Sequence, residues 1–371
     1  MSVHAQTVIQ WLEQFAPKSL AVEKDPIGLQ IGTLNKKVNK VLITLDVTPA
    51  VVEEAIAKGA GLIIAHHPPV FRPLAHLRTD LPQGKVLARL LQHDIAVYAA
   101  HTNLDVAPGG LNDWLAQRLE LSDVEVLAPT QHETLKKLMV FVPRDHEAQV
   151  RQALGDAGAG HIGNYSHCTF RTDGIGTFKP GEGTNPFIGS QGEIEQVEEV
   201  KIETIFPASI EKQVIQAMIK AHPYEEVAYD IYQLDQPGEA RGLGRIGYLK
   251  QEISLQAFAA QVKEAFDVPF CRVVGPLDAP VKKVAVLGGD GNKYVQQALF
   301  KGADVLVTGD VYFHTAQDAL MAGLKLVDPG HHAEKVMIRG LQQVLTEKAK
   351  EHKVSVDILS SEVNTDPFQM I

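Results

Sequence analysis

Cysteine is scarce in this chain. The 371 residues include two cysteines, Cys168 and Cys271, and no Cys-x-x-Cys pair. A disulfide framework and a zinc site built from thiolates both need more cysteines than this, so the sequence excludes them. We expect the two thiols to be packed side chains and not nucleophiles.

Long apolar runs and an excess of basic charge are also lacking. No apolar segment is long enough to cross a bilayer. The formal net charge of −10 argues against general binding of nucleic acid and against an anionic membrane surface. The first residues, MSVHAQTVIQWLEQF, lack the basic and apolar regions of a signal peptide, so we expect them to form a helix. We therefore expect a cytoplasmic protein with no membrane or nucleic-acid partner.

The length of the chain indicates more than one domain. Strands alternate with helices in residues 1–125 and again in residues 238–371, which is the pattern of a mostly parallel α/β sheet. Between them, residues 126–237 have the order βαββαβ, which is typical of a ferredoxin-like α+β domain. We therefore predict two similar α/β domains and one inserted domain. The predicted strands of the insertion are Leu138–Val142, Tyr165–Phe170, Val200–Phe206 and Val227–Leu234.

The two α/β segments resemble each other in sequence. The thirty residues Val38–His67 align without gaps on Val281–Asp310, and eight positions are identical. Shared strands and helices would explain part of this match, but a common Lys-Gly-Ala triplet indicates an internal duplication. In this alignment His67 faces Asp310, which we take as a further candidate ligand.

Histidines and carboxylates follow three of the predicted strands. They are His66 and His67 after the first strand, His101 and Asp105 after the second, and His331 and Glu334 after the third. In α/β sheets, ligands bind beyond the carboxyl ends of the strands. We therefore expect these side chains to converge on one pocket.

A set of imidazoles and carboxylates without thiolates suits zinc, manganese, iron or cobalt. Three or more histidines with two carboxylates are enough for two ions. An isolated His-His pair is better explained by one buried, hydrogen-bonded ring and one solvated ring, but three such strand ends favour a metal site. His332 stays open as an alternative to His331, because only one of two adjacent side chains faces inward easily. We predict two divalent ions per chain, with zinc as the first expectation.

Two further segments each have two interpretations. The turn Gly288–Asn292 could hold a phosphate at a helix N-terminus, but it lacks both the dinucleotide-binding spacing and the P-loop lysine. This favours a tight turn. The stretch His222–Glu226 could bind a ligand, and a helix-to-strand turn explains it equally well.

Four segments resemble a known family. They are AHHPPVF, HTNLD, TGDVYFH and DPGHHAEK, and in this order they are similar to the GTP cyclohydrolase 1 type 2 homologues, also called Nif-like dinuclear-metal hexameric proteins. The resemblance covers essentially the whole chain. In the middle part, AGAGHIGNYSHCTF and HPYEEVAYDIY are similar to the CutA/PII-like insertion of the longer members.

The resemblance implies two similar α/β domains with a dinuclear metal centre between them, in a toroidal homohexamer whose openings the insertions cap. By motif, it implies the metal ligands His66, His67, Asp105, His331 and Glu334. Some members space the last histidine and glutamate by four residues, whereas here they are three apart.

Two functions are compatible with these observations. The first is metal-dependent hydrolysis of a nucleotide or another phosphate-containing small molecule, with His101 as a proton shuttle. The second is a non-catalytic, metal-binding or regulatory hexamer whose PII-like insertion senses a small-molecule ligand. Polar groups beyond a minimal metal site favour the first; they include His101, Asp310 and His314.

Overall fold

The computed structural model describes residues 2–369 of the chain, which form two compact units. One unit contains the chain up to Thr130 and from Arg241 onward, and the other contains Gln131–Ala240. None of the helices in the described residues is long and apolar enough to span a membrane.

The first part of the chain consists of short strands and helices. The strands are β1 (Val3–His4), β2 (Gly28–Ile31), β3 (Lys37–Val38), β4 (Lys40–Thr44), β5 (Leu62–Ala65) and β6 (Ala96–Ala99). The helices are α1 (Ala5–Phe15), α2 (Pro49–Lys58), α3 (Pro82–Gln92), α4 (Thr102–Val106) and α5 (Leu111–Arg118).

The middle of the chain has longer strands, two of which begin in one unit and end in the other. The elements are β7 (Ser122–Pro143), α6 (Glu147–Asp156), β8 (Phe170–Phe178), β9 (Glu195–Pro207), α7 (Glu211–Ala221) and β10 (Tyr229–Ser254).

The last part returns to short strands and helices. The strands are β11 (Arg272–Val274), β12 (Pro280–Asp290), β13 (Val305–Gly309), β14 (Lys325–Asp328) and β15 (Asp357–Ser360). The helices are α8 (Leu255–Ala265), α9 (Val295–Phe300), α10 (Phe313–Met321) and α11 (Val336–Glu351), and a short 3₁₀ helix, His331–Lys335, precedes α11.

The first unit contains two main sheets. One has the order β15-β4-β5-β6-β2, in which only the β6–β2 pair is antiparallel. The other is part of an eight-stranded sheet, and its first five strands have the order β11-β14-β13-β12-β10, with a parallel centre and antiparallel outer pairs. The predicted mixed α/β fold with mostly parallel strands is therefore confirmed for the sheet that contains β4, β5 and β6.

Strand β5 is apolar throughout because both of its faces are buried. Leu62 and Ile64 pack into one hydrophobic cluster, and Ile63 packs into another. Side chains alternate between the two faces of a strand, so a central parallel strand has no position for a polar residue. Full burial of one such side chain stabilises the fold by about 1.5–3 kcal/mol.

Helix α2 begins and ends at sequence signals. The Thr48 hydroxyl accepts a hydrogen bond from the Val51 amide at 3.3 Å, and Pro49 follows at the first helical position. Gly59 ends the helix with φ 70°, a left-handed conformation that glycine adopts without strain. These ends fix the short connection into β5.

The repeat seen in the sequence recurs in the strand pairing. In β4 and β5, Val41 pairs with Leu62. In β12 and β13, Val284 pairs with Val305, which are the positions aligned with Val41 and Leu62. The same offset therefore relates the two parallel pairs residue by residue.

The second unit has the expected order βαββαβ, but its second strand is displaced from the prediction. The sequence predicts Tyr165–Phe170, whereas β8 is Phe170–Phe178 and Tyr165 is 75% exposed. Strand β8 pairs with β9 from Phe170 opposite Glu203 to Phe178 opposite Glu195. Its backbone hydrogen bonds, and not an apolar pattern, define it, because most of its side chains are exposed.

Both cysteines are free, partly buried thiols. Burial raises the pKa of Cys271 to about 11, and the nearby Asp328 carboxylate adds to this effect. This thiol therefore stays protonated at neutral pH, as expected of a packed side chain.

Candidate metal centre

Six candidate side chains from the sequence analysis come together in the first unit. His66 and His67 directly follow β5, His101 follows β6, and Asp105 lies on α4. His331 and Glu334 lie on the 3₁₀ helix before α11. Their ligand atoms form three overlapping groups, each within 4.8 Å: His66, His67 and His101; His67, His331 and Glu334; and His66, Asp105 and Glu334.

Glu334 lies at the centre of this cluster. Its Oε2 atom is 3.0 Å from His67 Nε2, 3.2 Å from His331 Nε2 and 3.8 Å from His66 Nε2. The carboxylate is buried, and two glycines make room for it. A Cβ atom on either Gly288 or Gly289 would lie 2.9 Å from Glu334 Oε1. Gly288 and Gly289 lie within β12, so the tight turn predicted to begin at Gly288 is wrong there, and their lack of side chains lets the end of β12 approach the cluster.

The outer nitrogen of each clustered imidazole has a hydrogen-bond acceptor. His66 Nδ1 donates to the Ala100 carbonyl at 2.8 Å. The Nδ1 atoms of the other rings bond to carboxylates: His67 to Asp46 at 2.6 Å, His101 to Asp25 at 2.8 Å, and His331 to Asp310 at 2.6 Å. Metal-binding histidines typically use one ring nitrogen in this way, and the second nitrogen binds the ion.

Two buried atoms in the cluster have no hydrogen-bond partner. They are His66 Nε2 and Asp105 Oδ1, which lie 3.5 Å apart. Leaving such groups unsatisfied costs about 1–3 kcal/mol each, so native proteins rarely do so without an ion or a water molecule. The donor set and the two unpartnered atoms therefore fit a divalent metal ion.

Burial and neighbouring charges set the protonation of the carboxylates. Burial raises the pKa of Asp105 to about 6, against the attraction of the nearby histidines. For Glu334, burial also opposes ionisation, but the contacts with His331 and His67 and the nearby charge of His66 outweigh it and hold the pKa well below its usual value. Glu334 is therefore ionised at neutral pH.

The contacts with carboxylates raise the pKa values of two imidazoles, His67 and His331. Burial disfavours charged His67, but its hydrogen bonds with Asp46 and Glu334 raise the pKa to about 10. The hydrogen bond with Glu334 raises the pKa of His331 to about 9, despite burial. Without a metal ion, protons on these rings balance the carboxylate charge.

The three donor groups found in residues 2–369 do not include three other residues considered from the sequence, Asp310, His314 and His332. Asp310 contacts His331 Nδ1 and so occupies a supporting position, not that of a further ligand. Of the adjacent pair, His331 belongs to the cluster.

Sequence reasoning missed two supporting carboxylates, Asp25 and Asp46. Asp46 follows β4 within two residues, so the strand-end rule that selected the histidines could have found it. Asp25 lies in the turn-rich stretch between α1 and β2, where no periodicity marks it. It accepts hydrogen bonds from His101 Nδ1 and from both the amide and the hydroxyl of Thr102.

Comparison with known proteins covers nearly the whole chain. The family model Duf34/NIF3 (NGG1p interacting factor 3) matches residues 3–367. A GTP cyclohydrolase 1 type 2 homolog of Bacillus subtilis (strain 168) is 60% identical over 370 residues, which is 100% of this chain and 99% of the relative. A protein of the same name from Halalkalibacterium halodurans is 59% identical over 368 residues, 99% of each chain.

A solved structure agrees with this result. The Bacillus cereus protein related to NIF3 superposes with a TM-score of 0.92 at 58% identity, and the match covers 99% of each chain. The whole chain therefore belongs to the Duf34/NIF3 family.

Proposed function

We propose that this protein is a metal-dependent hydrolase with a dinuclear centre held by His66, His67, Asp105, His331 and Glu334. The observation that carries the proposal is the pair of buried, unpartnered donor atoms, His66 Nε2 and Asp105 Oδ1. A site that only packed these side chains would satisfy both atoms within the protein. Zinc suits the donor set best, and manganese, iron and cobalt are compatible with it.

When bound, the ions supply Lewis acidity and a water molecule that ionises near neutral pH. The chain contributes orientation and proton transfer. Asp46 and Asp310 hold the His67 and His331 rings by their Nδ1 atoms. Asp25 holds His101 in the same way, so the second nitrogen of His101 can exchange a proton with substrate. The ring centroids of Phe71 and His101 are 6.4 Å apart, so an apolar ring lies beside the His101 imidazole.

For the substrate we propose a nucleotide or another phosphate-containing small molecule. The support is the name of the close relatives, which are called GTP cyclohydrolase 1 type 2 homologs. The three-part division into residues 1–125, 126–237 and 238–371, with a PII/CutA-like middle domain, is part of the same proposal.

We further propose that the protein assembles as a homohexamer. Large apolar side chains stand exposed on helices α9 and α10, including Phe300 at 90%, Phe313 at 71% and Met321 at 80%. Exposed apolar side chains that form one contiguous patch typically mark an interface with another chain. Sedimentation equilibrium of the full chain tests this assembly.

The alternative is a regulatory hexamer in which the metal ions have a structural role. The second unit favours it, because this βαββαβ unit contains none of the six clustered side chains. A structural metal site is coordinatively closed, whereas a catalytic site keeps a position for water or substrate.

The proposed activity is tested by preparing metal-free protein and adding back one metal at a time. Nucleoside triphosphates, phosphomonoesters and cyclic nucleotides are then screened, and metal content is measured on the same samples. Turnover that rises with occupancy supports a hydrolase. Full occupancy without turnover of any substrate class favours the regulatory alternative.

A further inference from the structure

The second unit contains a cavity of about 700 Å³ that lies away from its helices. In strand β9, Val200 and Ile202 pack with α6 and α7 in the hydrophobic cluster of this unit, whereas Glu199 and Lys201 line the cavity. Alternate residues of a strand face opposite sides, so the cavity lies on the sheet face that the helices leave open. Its volume is that of a small-molecule site, which is typically about 300–1,000 Å³.

Aromatic rings form one wall of the cavity. Tyr224 is at the centre of this wall, with its ring centroid 5.7 Å from that of Phe178 and 6.4 Å from that of Phe187. Phe141 contributes a further ring to the lining. Such faces attract planar groups and cations.

Glu199 supplies a buried carboxylate at the same wall. The residue is 7% exposed, and its Oε1 accepts a hydrogen bond from the Tyr224 hydroxyl at 3.0 Å. Burial and this contact raise the pKa of Tyr224 above its usual value, so the phenol keeps the proton that it donates. Within residues 2–369, no lysine or arginine nitrogen lies within 4 Å of the carboxylate. A buried carboxylate without a cation is costly, and a cationic ligand would remove that cost.

Gly176 makes room for this carboxylate. A Cβ atom at position 176 would lie 2.0 Å from Glu199 Oε2. The backbone at Gly176 is outside the left-handed region, so the conformation does not require glycine there. A side chain at position 176 would therefore displace the Glu199 carboxylate from its present position.

Hydrogen bonds hold the turn that carries Tyr224. His222 Nε2 donates to the Phe141 carbonyl at 2.9 Å, and His222 Nδ1 accepts from the Tyr224 amide at 3.1 Å. Burial lowers the pKa of His222, in agreement with a neutral ring that donates once and accepts once. The amide of Asn185 donates to Glu225 at 3.0 Å and ties the loop over the cavity to this turn. The turn His222–Glu226 therefore builds a cavity wall as well as connecting a helix to a strand.

The charged groups of the lining favour a cation over an anion. Acidic residues outnumber basic ones; the acids are Asp173, Glu199, Glu225 and Glu226, and the bases are Lys179 and Lys201. Lys201 lies 3.4 Å from Glu203 and Asp173 lies 3.3 Å from Arg144, so one basic and one acidic group of the lining are each partly balanced by a residue outside it. A polyphosphate would meet net repulsion here.

We propose that this cavity binds a small organic cation, a protonated amine or amidine carried on a compact aromatic body. The cationic group contacts Glu199, and the body packs against Tyr224, Phe178 and Phe187. A carboxylate pairs with an amidinium through two parallel hydrogen bonds, and the aromatic rings add cation–π attraction. This site lies wholly within the second unit and is independent of the proposed hydrolase activity.

The test uses the full chain and three ligands that are similar in shape but differ in charge. Benzamidine is cationic at neutral pH, benzamide is neutral, and benzoate is anionic. Isothermal titration calorimetry should give the tightest binding for benzamidine, weaker binding for benzamide by roughly tenfold or more, and none for benzoate. Absence of benzamidine binding, or equal binding of the three ligands, would overturn the proposal.

Variants locate the binding. Glu199→Gln removes the charge while keeping the shape, and it should weaken benzamidine binding by roughly tenfold or more without affecting benzamide. Glu198→Gln is the matched control, because Glu198 is the adjacent residue, is exposed and does not line the cavity. Gly176→Ala should weaken binding as well, by displacing the carboxylate. Circular dichroism confirms the fold of each variant, and unchanged benzamidine affinity in folded Glu199→Gln contradicts the proposal.

Discussion

The Asp46 carboxylate lies 2.6 Å from Nδ1 of His67. This contact turns the opposite nitrogen, Nε2, toward Glu334, 3.0 Å away. In the second half of the repeat, Asp310 contacts His331 Nδ1 at the same distance. Two histidines from the two halves of the chain therefore have the same kind of support, and each supporting carboxylate fixes a ring before any ion binds.

We predict that Asp46→Asn weakens metal binding about tenfold to a hundredfold, the usual cost of losing a carboxylate behind a metal-bound histidine. The amide keeps the size of the side chain but loses the charge that favours the His67 N–H. Competition with a fluorescent metal chelator measures the change. Asp278→Asn, at an exposed position of the same unit, is the control and should bind like the native protein. Equal affinity in both variants would show that Asp46 does not support a metal ligand.

We predict that metal binding releases protons near pH 8. The pKa of His67 is raised to about 10 and that of His331 to about 9, so both metal-free rings keep a proton at this pH. A metal ion needs the lone pair that the proton occupies, so binding must displace it. Affinity should rise with pH up to about 10. It should fall further below pH 6, where Asp105, with a pKa of about 6, also takes up a proton.

Calorimetry in buffers of different ionisation enthalpy measures the released protons directly. The expected number is about two per chain near pH 8 when both proposed ions bind, and fewer near pH 10. A heat of binding that does not depend on the buffer at pH 8 would contradict these protonation states.

The position of the cluster could be predicted from the sequence because parallel strands impose a rule. Strand β5 is apolar and then stops at His66 and His67, and the carboxyl ends of its neighbours lie beside it. The pairing of β12 with β13 was also predictable, because their apolar residues align with those of β4 and β5 and pair in the same way.

The supporting contacts were not predictable in the same way. Asp25 contacts His101 across a long sequence separation, and no sequence pattern in the turn around Asp25 indicates this contact. The choice of His331 over His332 depends on the 3₁₀ geometry of residues 331–335, which the sequence pattern does not determine. The Phe178–Tyr224 wall arises from tertiary packing between a strand and a distant turn.

We predict that the metal centre survives removal of the second unit. The Thr130 hydroxyl lies 3.2 Å from the Arg241 carbonyl, so the two ends of the first unit can be joined by two glycines after deletion of residues 131–240. All six clustered side chains lie outside the deleted segment. The shortened chain should bind as much metal per chain as the native protein, as measured by elemental analysis. A folded deletion variant without metal would show that the second unit contributes to the centre.

The last prediction separates metal binding from proton transfer. Asp105→Asn should lower both metal content and turnover, because Asp105 Oδ1 is a buried, unpartnered oxygen and an amide supplies no charge to an ion. His101→Gln should lower turnover by about 10²–10⁴-fold, the usual contribution of a general acid–base group, with metal content nearly unchanged. Asp25→Asn should lower turnover in the same direction, since Asp25 only positions His101. Turnover and metal content are measured on the same samples.

The three outcomes have different meanings for the centre. Loss of metal in His101→Gln would make His101 a ligand, which its grouping with His66 and His67 permits geometrically. Native turnover in Asp105→Asn would trace the activity to a contaminating enzyme and contradict the hydrolase proposal. A loss of turnover in Asp25→Asn that is accompanied by a shifted pH profile, at constant metal content, would identify Asp25 as the group that sets the proton affinity of His101, because a purely structural role would leave that profile in place.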